Sequence, residues 1–248
     1  MDNVIIEKKA AELRRFAGFN QNDCVRLKSL LSRFNVLTIF KPLDANFSGM
    51  AIKIGEGEKA ARFMLVNSSQ SLGKQHFTIS HELYHLFIQE NFTSRICKTG
   101  LFSKVLDKEE LNADLFASYF LLPETGLKDL IPDNELKKNA ITLSTLLKVE
   151  QYFSCSRSAL LYRLKQLKLI DSTFYDSYQK DIKKGAALHG YNLDLYESGN
   201  DNDVIGDYGS IAKNLFDKEI ISETHYFSLL LDLGVNIEEI ENIKDGEE

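Results

Sequence analysis

Apolar positions in this chain change their period several times. Spacing of three and four residues governs Ile5 to Phe16 and Asn22 to Phe34, with Ile6, Ala10 and Leu13 on one stripe, and predicts two amphipathic helices. Short β-branched and aromatic runs follow at Val36 to Phe40, Met50 to Ile54 and Phe63 to Asn67, separated by Pro42, Gly49 and the turn Gly55-Glu56-Gly57. These runs predict three short strands in a small antiparallel sheet. Helical spacing returns around His81 and again from about Lys108 to Leu122, where Pro123 stops it; a polar loop from Asn91 to about Lys104 joins the two. If residues 62–67 lie at an exposed edge, they offer an extended peptide a place to pair; the plainer reading is an edge strand with Arg62 as a guard against aggregation.

Beyond Pro132 the pattern is helical. Ile141 to Phe153 and Arg157 to Leu169 predict two helices, and the Ser154-Cys155-Ser156 break between them has N-cap character, as in a helix-turn-helix unit. Gly199 to Asp203 is polar and acidic and reads as a linker. Ile211 to Phe216, Ser222 to Leu233 and Ile237 to Ile243 then predict short helices.

The chemistry concentrates in His81-Glu82-Leu83-Tyr84-His85. At about 100° per residue, with His81 at zero, His85 falls at about 40° and Glu82 at about 100°. Ile79, Leu83, Leu86 and Phe87 fall at roughly 140° to 240°, so the imidazoles and the core stripe occupy different faces. Two imidazoles one turn apart are how one helix gives a zinc ion two ligands, and a catalytic zinc takes a third from elsewhere. Glu90 points to the apolar side. Asn91 and Ile88 stand where the extended metzincin motif needs its third histidine and its glycine, which excludes that subclass. On the second helix Glu110, Ala113, Asp114 and Ala117 share a face. Glu110 is therefore the expected third ligand, and Asp114, one turn on, can accept a hydrogen bond from a ligand histidine and set its tautomer. Glu109 points about 100° away and Cys97 has no partner at helical spacing, so both rank below Glu110. The bland alternative is an amphipathic helix carrying two satisfied histidines.

These residues carry a resemblance. His76-Phe-Thr-Ile-Ser-His81-Glu82-Leu-Tyr-His85-Leu-Phe87, then Glu110-x-x-Ala113-Asp114-x-Phe116-Ala117-Ser118-x-x-Leu121-Leu122-Pro123, with Ser48-Gly49 and Phe63 to Asn67 before them, resembles the ImmA/IrrE family of metallo-endopeptidases over about residues 25 to 170. The resemblance implies a gluzincin-like site. It also implies cleavage of a helix-turn-helix transcriptional repressor, releasing stress-response or mobile-element genes. The chain departs from the family at Tyr84, where Gly is frequent, and at His76, where Arg is common.

The fold expected is therefore α+β: a zincin-like metallopeptidase domain over 1–131 with a small three-stranded antiparallel sheet, a helix-turn-helix-like subdomain over 132–198, and an acidic helical module over 199–248. In the expected mechanism, zinc held by His81, His85 and Glu110 acidifies a water, and Glu82 takes its proton and returns it to the leaving amine. An oxyanion donor is also needed; Tyr84, on the flank of its helix, and the distant His189 are the candidates. Manganese or iron in place of zinc stays open. His76 and His225 read as structural or surface residues.

Composition adds bounds. The 248 residues, 44% hydrophobic, suffice for one good core and a smaller second one. The N-terminal residues lack a signal-peptide pattern and no apolar run reaches membrane-spanning length, so a cytoplasmic protein is expected. Three widely spaced cysteines, Cys24, Cys97 and Cys155, argue against a disulfide framework. The net charge of −6 divides unevenly: from Tyr191 onward three lysines face fifteen Asp and Glu, so that part carries −12 and residues 1–190 carry +6. A basic front, with Lys148, Arg157, Arg163, Lys165 and Lys168 on the helix pair, also suits DNA. Packing is the favoured role for that pair, because Leu160, Leu161, Leu164 and Leu167 form a stripe. The alternatives to a peptidase are thus a DNA-binding regulator with a structural metal, or a partner-binding module of a toxin-antitoxin pair.

Overall fold

A computed structural model describes residues 2–57, 60–97 and 108–235. The chain runs α1 (Asn3–Phe16), α2 (Leu27–Arg33), β1 (Val36–Lys41), β2 (Gly49–Ile54), β3 (Ala61–Asn67), α3 (Leu72–Phe87), β4 (Ser94–Cys97) and α4 (Lys108–Leu121). It continues through α5 (Glu124–Leu130), α6 (Leu143–Phe153), α7 (Arg157–Gln166), α8 (Ser172–Ser177) and α9 (Ile182–Leu188) to β5 (Val204–Ile205), α10 (Tyr208–Asp217) and α11 (Glu223–Asp232).

The class is α+β as expected, but the sheet is neither three-stranded nor wholly antiparallel. Its order is β4-β2-β3-β1-β5, four strands of four to seven residues and a two-residue fifth. β3 inserts between β1 and β2, antiparallel to β2 and parallel to β1. The reason lies in the loop 42–48, which carries the chain across the sheet instead of closing a hairpin. Asn67, at the end of β3, holds that loop: its amide donates to the carbonyls of Leu43, Asp44 and Phe47 and accepts from the Leu43 amide. A polar side chain at 67 thus anchors the crossing loop, and the strand order it accompanies is not encoded in apolar periodicity. Residues 62–67 are consequently interior, not an edge, and Arg62 lies over the Phe87 ring at 4.8 Å. Edge strands β4 and β5 are too short for a period-two signal.

Helix α3 lies on this sheet, and α4 packs against α3 on one side and α1 on the other. Both helices are polar where they meet the site and apolar elsewhere: Ile79, Leu83, Leu86, Phe116, Phe120 and Leu121 are all buried. Two buried arginines hold the C-terminal end of α4, whose last carbonyls have no partner within the helix. Arg14 of α1 donates to the Phe120 carbonyl at 2.5 Å and to those of Asn20 and Asp23, and Arg163 of α7 donates to the Leu122 carbonyl at 3.0 Å. Burial pushes the Arg14 guanidinium down to about 10, so it keeps its charge at neutral pH and complements the negative end of the helix dipole.

The α6–α7 pair forms where the sequence places it. Thr142 and Ser156 cap the two helices, and Ser154 takes the left-handed conformation at the turn. Leu160, Leu161 and Leu164 are completely buried, and one apolar cluster runs from Ile6 to Ile170. Arg157 is buried against Glu150 in a two-pronged ion pair that also receives the Tyr196 hydroxyl. Residues 199–203 are tied to the rest of the chain: Gln75 donates to the Gly199 carbonyl, Asn200 donates back to Gln75, and the Phe40 amide donates to the Asp203 carbonyl. The expected helix Ile237 to Ile243 lies outside the described residues. Cys24 and Cys155 are free thiols whose pKa values burial raises. Among the described residues no helix is long and apolar enough to cross a membrane.

Two contacts seat the start of α3 on the α6–α7 turn. A Cβ at Gly73 would lie 2.8 Å from the Ser156 amide nitrogen and 3.0 Å from the Cys155 carbonyl carbon. His76 Nδ1 meets the Ser154 carbonyl at 2.7 Å. Gly73→Ala should therefore destabilise the protein by about 1–3 kcal/mol, read from urea unfolding midpoints. Burial holds the His76 pKa below its usual 6.5, so on acidification the unfolded chain gains a proton before the folded chain does. Stability should fall as pH drops below about 6.5, and His76→Gln should flatten that slope in the same unfolding assay.

Candidate metal centre

Helix α3 presents His81 and His85 one turn apart, as its sequence predicts, with 1% and 0% exposure. Helix α4 brings Glu110, at 9%, against both from its first turn, where a carboxylate also suits the positive end of the helix. Among the described residues these three form a group whose ligand atoms all lie within 4.8 Å of one another. The two Nε2 atoms are 3.2 Å apart. One carboxylate oxygen of Glu110 lies 3.3 Å from His81 Nε2, and the other lies 3.5 Å from His85 Nε2.

Those separations supply a fit test. Donors about 2.0–2.2 Å from a tetrahedral zinc are about 3.3–3.6 Å apart, since the edge of a tetrahedron is about 1.6 times the centre-to-corner distance. The Nε2–Nε2 separation of 3.2 Å and the nearest carboxylate approach of 3.3 Å lie close to that edge, and the donor set of two imidazoles and one carboxylate is that of a catalytic zinc site. A divalent cation among these nitrogens and the carboxylate would be held by all three. The residues fit a metal.

Asp114 stands where the helical spacing places it, 2.9 Å from His81 Nδ1, so the Nδ1–H donates to the carboxylate and leaves Nε2 to ligate. The sequence reading missed the matching partner of His85: Gln89 Oε1 lies 2.5 Å from His85 Nδ1. Its signal was present, because residues 81, 85 and 89 succeed one another at one-turn intervals on the same face. Ala113 and Ala117 on α4 are both fully buried.

Glu82 is fully buried beneath the first residue of β2. A Cβ at Gly49 would lie 3.1 Å from Glu82 Oε1, 2.5 Å from Thr78 Cγ2 and 3.2 Å from the Leu65 carbonyl oxygen, so only glycine lets β2 cross α3 this closely. The carboxylate of Glu82 thus lies between α3 and the first residue of β2.

The two candidate oxyanion donors are engaged elsewhere. The Tyr84 hydroxyl donates to Glu109 at 2.6 Å, and its ring, fully buried, packs on Phe116 with centroids 5.8 Å apart. Burial and then the neighbouring Glu109 push its pKa up, so the phenol keeps its proton at neutral pH and ties α3 to α4. This also accounts for Glu109, which serves the tyrosine. His189 is exposed at the end of α9, and its ring donates to the Gly185 carbonyl one turn back. His225 is likewise exposed, on α11.

Comparison with known proteins agrees with this geometry. The chain is similar, 35% identical over 88 residues, to Metallopeptidase ImmA of Bacillus subtilis (strain 168); the matched stretch covers 35% of this chain and 51% of that protein. The chain thus spans about half the length of the curated relative it matches. The model of a peptidase family, described as the IrrE N-terminal-like domain, matches residues 31–165, more than half of the chain, from within α2 to within α7 and including the cluster. The chain belongs to that IrrE N-terminal-like peptidase family.

Proposed function

We propose that the protein is a zinc-dependent endopeptidase whose single metal is held by His81, His85 and Glu110. The observation that carries this reading is the convergence of these buried donors from two helices, with ligand atoms within 4.8 Å of one another. A bound zinc supplies Lewis acidity, which polarises a carbonyl and makes a coordinated water acidic near neutral pH. Glu82, between the two histidines and locked by β2 and α3, takes a proton from the attacking water and delivers it to the leaving amine. Asp114 and Gln89 keep both imidazoles in the tautomer that leaves Nε2 available. An extended substrate pairs along an edge of the sheet, and β4 is the edge next to β2, whose first residue touches Glu82.

The substrate class follows from the family resemblance: a helix-turn-helix transcriptional repressor, cut in the cytoplasm to release the genes it silences. A DNA-binding role for the α6–α7 pair receives less support, because Arg157 and Arg163 are buried and spent on Glu150, Glu7 and the Leu122 carbonyl. Lys148, Lys165 and Lys168 remain exposed there.

Two outcomes are expected with purified protein and the repressor encoded beside its gene, followed by gel electrophoresis. Glu82→Gln should retain zinc, measured by metal analysis, yet lose about 10²–10⁴-fold in cleavage rate, and a chelator should silence the wild type. Cleavage by Glu82→Gln at the wild-type rate would remove Glu82 as the base. Gly49→Ala should push β2 away from Thr78 and displace the base, lowering cleavage while zinc content stays at the wild-type level.

A further inference from the structure

The chain just after α3 is built around one imidazole. The Ile88 and Gln89 amides both donate to the Tyr84 carbonyl, closing the helix. Asn91 then takes a left-handed conformation, φ 53°, which asparagine tolerates better than other side chains with a Cβ, and turns the chain back. As a result Phe92, 7% exposed, stacks on the His85 ring with centroids 5.2 Å apart and an interplanar angle of 22°, while Gln89 Oε1 meets His85 Nδ1 at 2.5 Å. The far end of the turn is fastened to the sheet, where the Lys53 amide of β2 donates to the Thr93 carbonyl at 2.7 Å. Residues 88–93 thus grip His85 at its edge and on its face.

We infer that Gln89 and Phe92 are positioning residues for the metal centre: together they lock the His85 ring and its Nδ1–H tautomer so that Nε2 faces His81 and Glu110. The inference rests on the metal site proposed above. Gln89 must present its amide oxygen, not its NH2, for the imidazole to donate from Nδ1 and keep an Nε2 lone pair. The two histidines are held unequally. His81 is backed by a carboxylate, which raises ligand basicity strongly, and His85 by a neutral amide, which orients the ring with little added charge. Without Gln89 the ring can carry its proton on either nitrogen and turn about Cβ–Cγ, so part of the population presents no ligand.

The test measures zinc affinity of the full chain by competition with a chromophoric chelator, with circular dichroism confirming the fold of each variant. Gln89→Ala should weaken zinc binding about 10–100-fold, and Gln89→Glu, which keeps an acceptor oxygen at the same reach, should restore it to the wild-type value or tighter. Phe92→Leu, which fills the space without the stacked ring, should weaken binding in the same direction as Gln89→Ala. In the metal-free wild type, nitrogen-15 NMR should find the His85 proton on Nδ1; Gln89→Ala should mix the two tautomers. Zinc affinity unchanged in Gln89→Ala, failure of Gln89→Glu to restore it, or a wild-type His85 proton on Nε2 would overturn the clamp while leaving the zinc site standing. A wild type that binds no zinc would instead overturn the site itself, and the clamp with it.

Discussion

The close approach of α3 and α4 is the constraint on which the rest of the structure depends. Each helix alone carries polar side chains that are expensive to bury: two imidazoles and a carboxylate on α3, two carboxylates on α4. Brought together they satisfy one another through His81–Asp114 and Tyr84–Glu109, and the ligand atoms of His81, His85 and Glu110 lie within 4.8 Å of one another. The approach requires a fixed position along the helix axis, because a shift of one residue would rotate Glu110 by about 100° away from the cluster.

That axial position is set at the other end of α4, far from the site chemistry. Arg14 and Arg163 bind its terminal carbonyls from two different helices, and the apolar cluster that surrounds them includes α6 and α7. The helix pair that resembles a DNA-reading unit therefore contributes its arginines inward. Its charge pattern is that of a buttress. Gly73 and His76 apply the same turn to the start of α3, so one small substructure positions both helices of the metal centre.

Much of the site was legible because helical periodicity is a local property. His81, Glu82 and His85 on one element, Glu110 with Asp114 one turn on, and the stop at Pro123 each follow from spacing, and the structure places all of them accordingly. Gln89 carried the same signal at the next turn and was overlooked because an amide is not a ligand type. Tyr84 shows a limit of periodicity: an angle on a helical wheel gives the direction of a side chain but not the partner it meets, here Glu109 at 2.6 Å.

The sheet shows where local reading ends. Three strands were evident as apolar runs, yet their order and direction rest on a crossing loop that Asn67 holds some twenty residues earlier, and the sheet also includes β4 and β5, which are too short to announce themselves. By itself the sequence determined which side chains share a helix face, which chemistry they can perform and to which family they belong. Only the tertiary structure decided that β3 is interior, that the arginines of α7 point into the core, and that Gly49 and the turn 88–93 close on Glu82 and His85. Those outcomes rest on contacts between residues distant in the chain, whose energies depend on distance in space and leave no periodic trace in the order of amino acids.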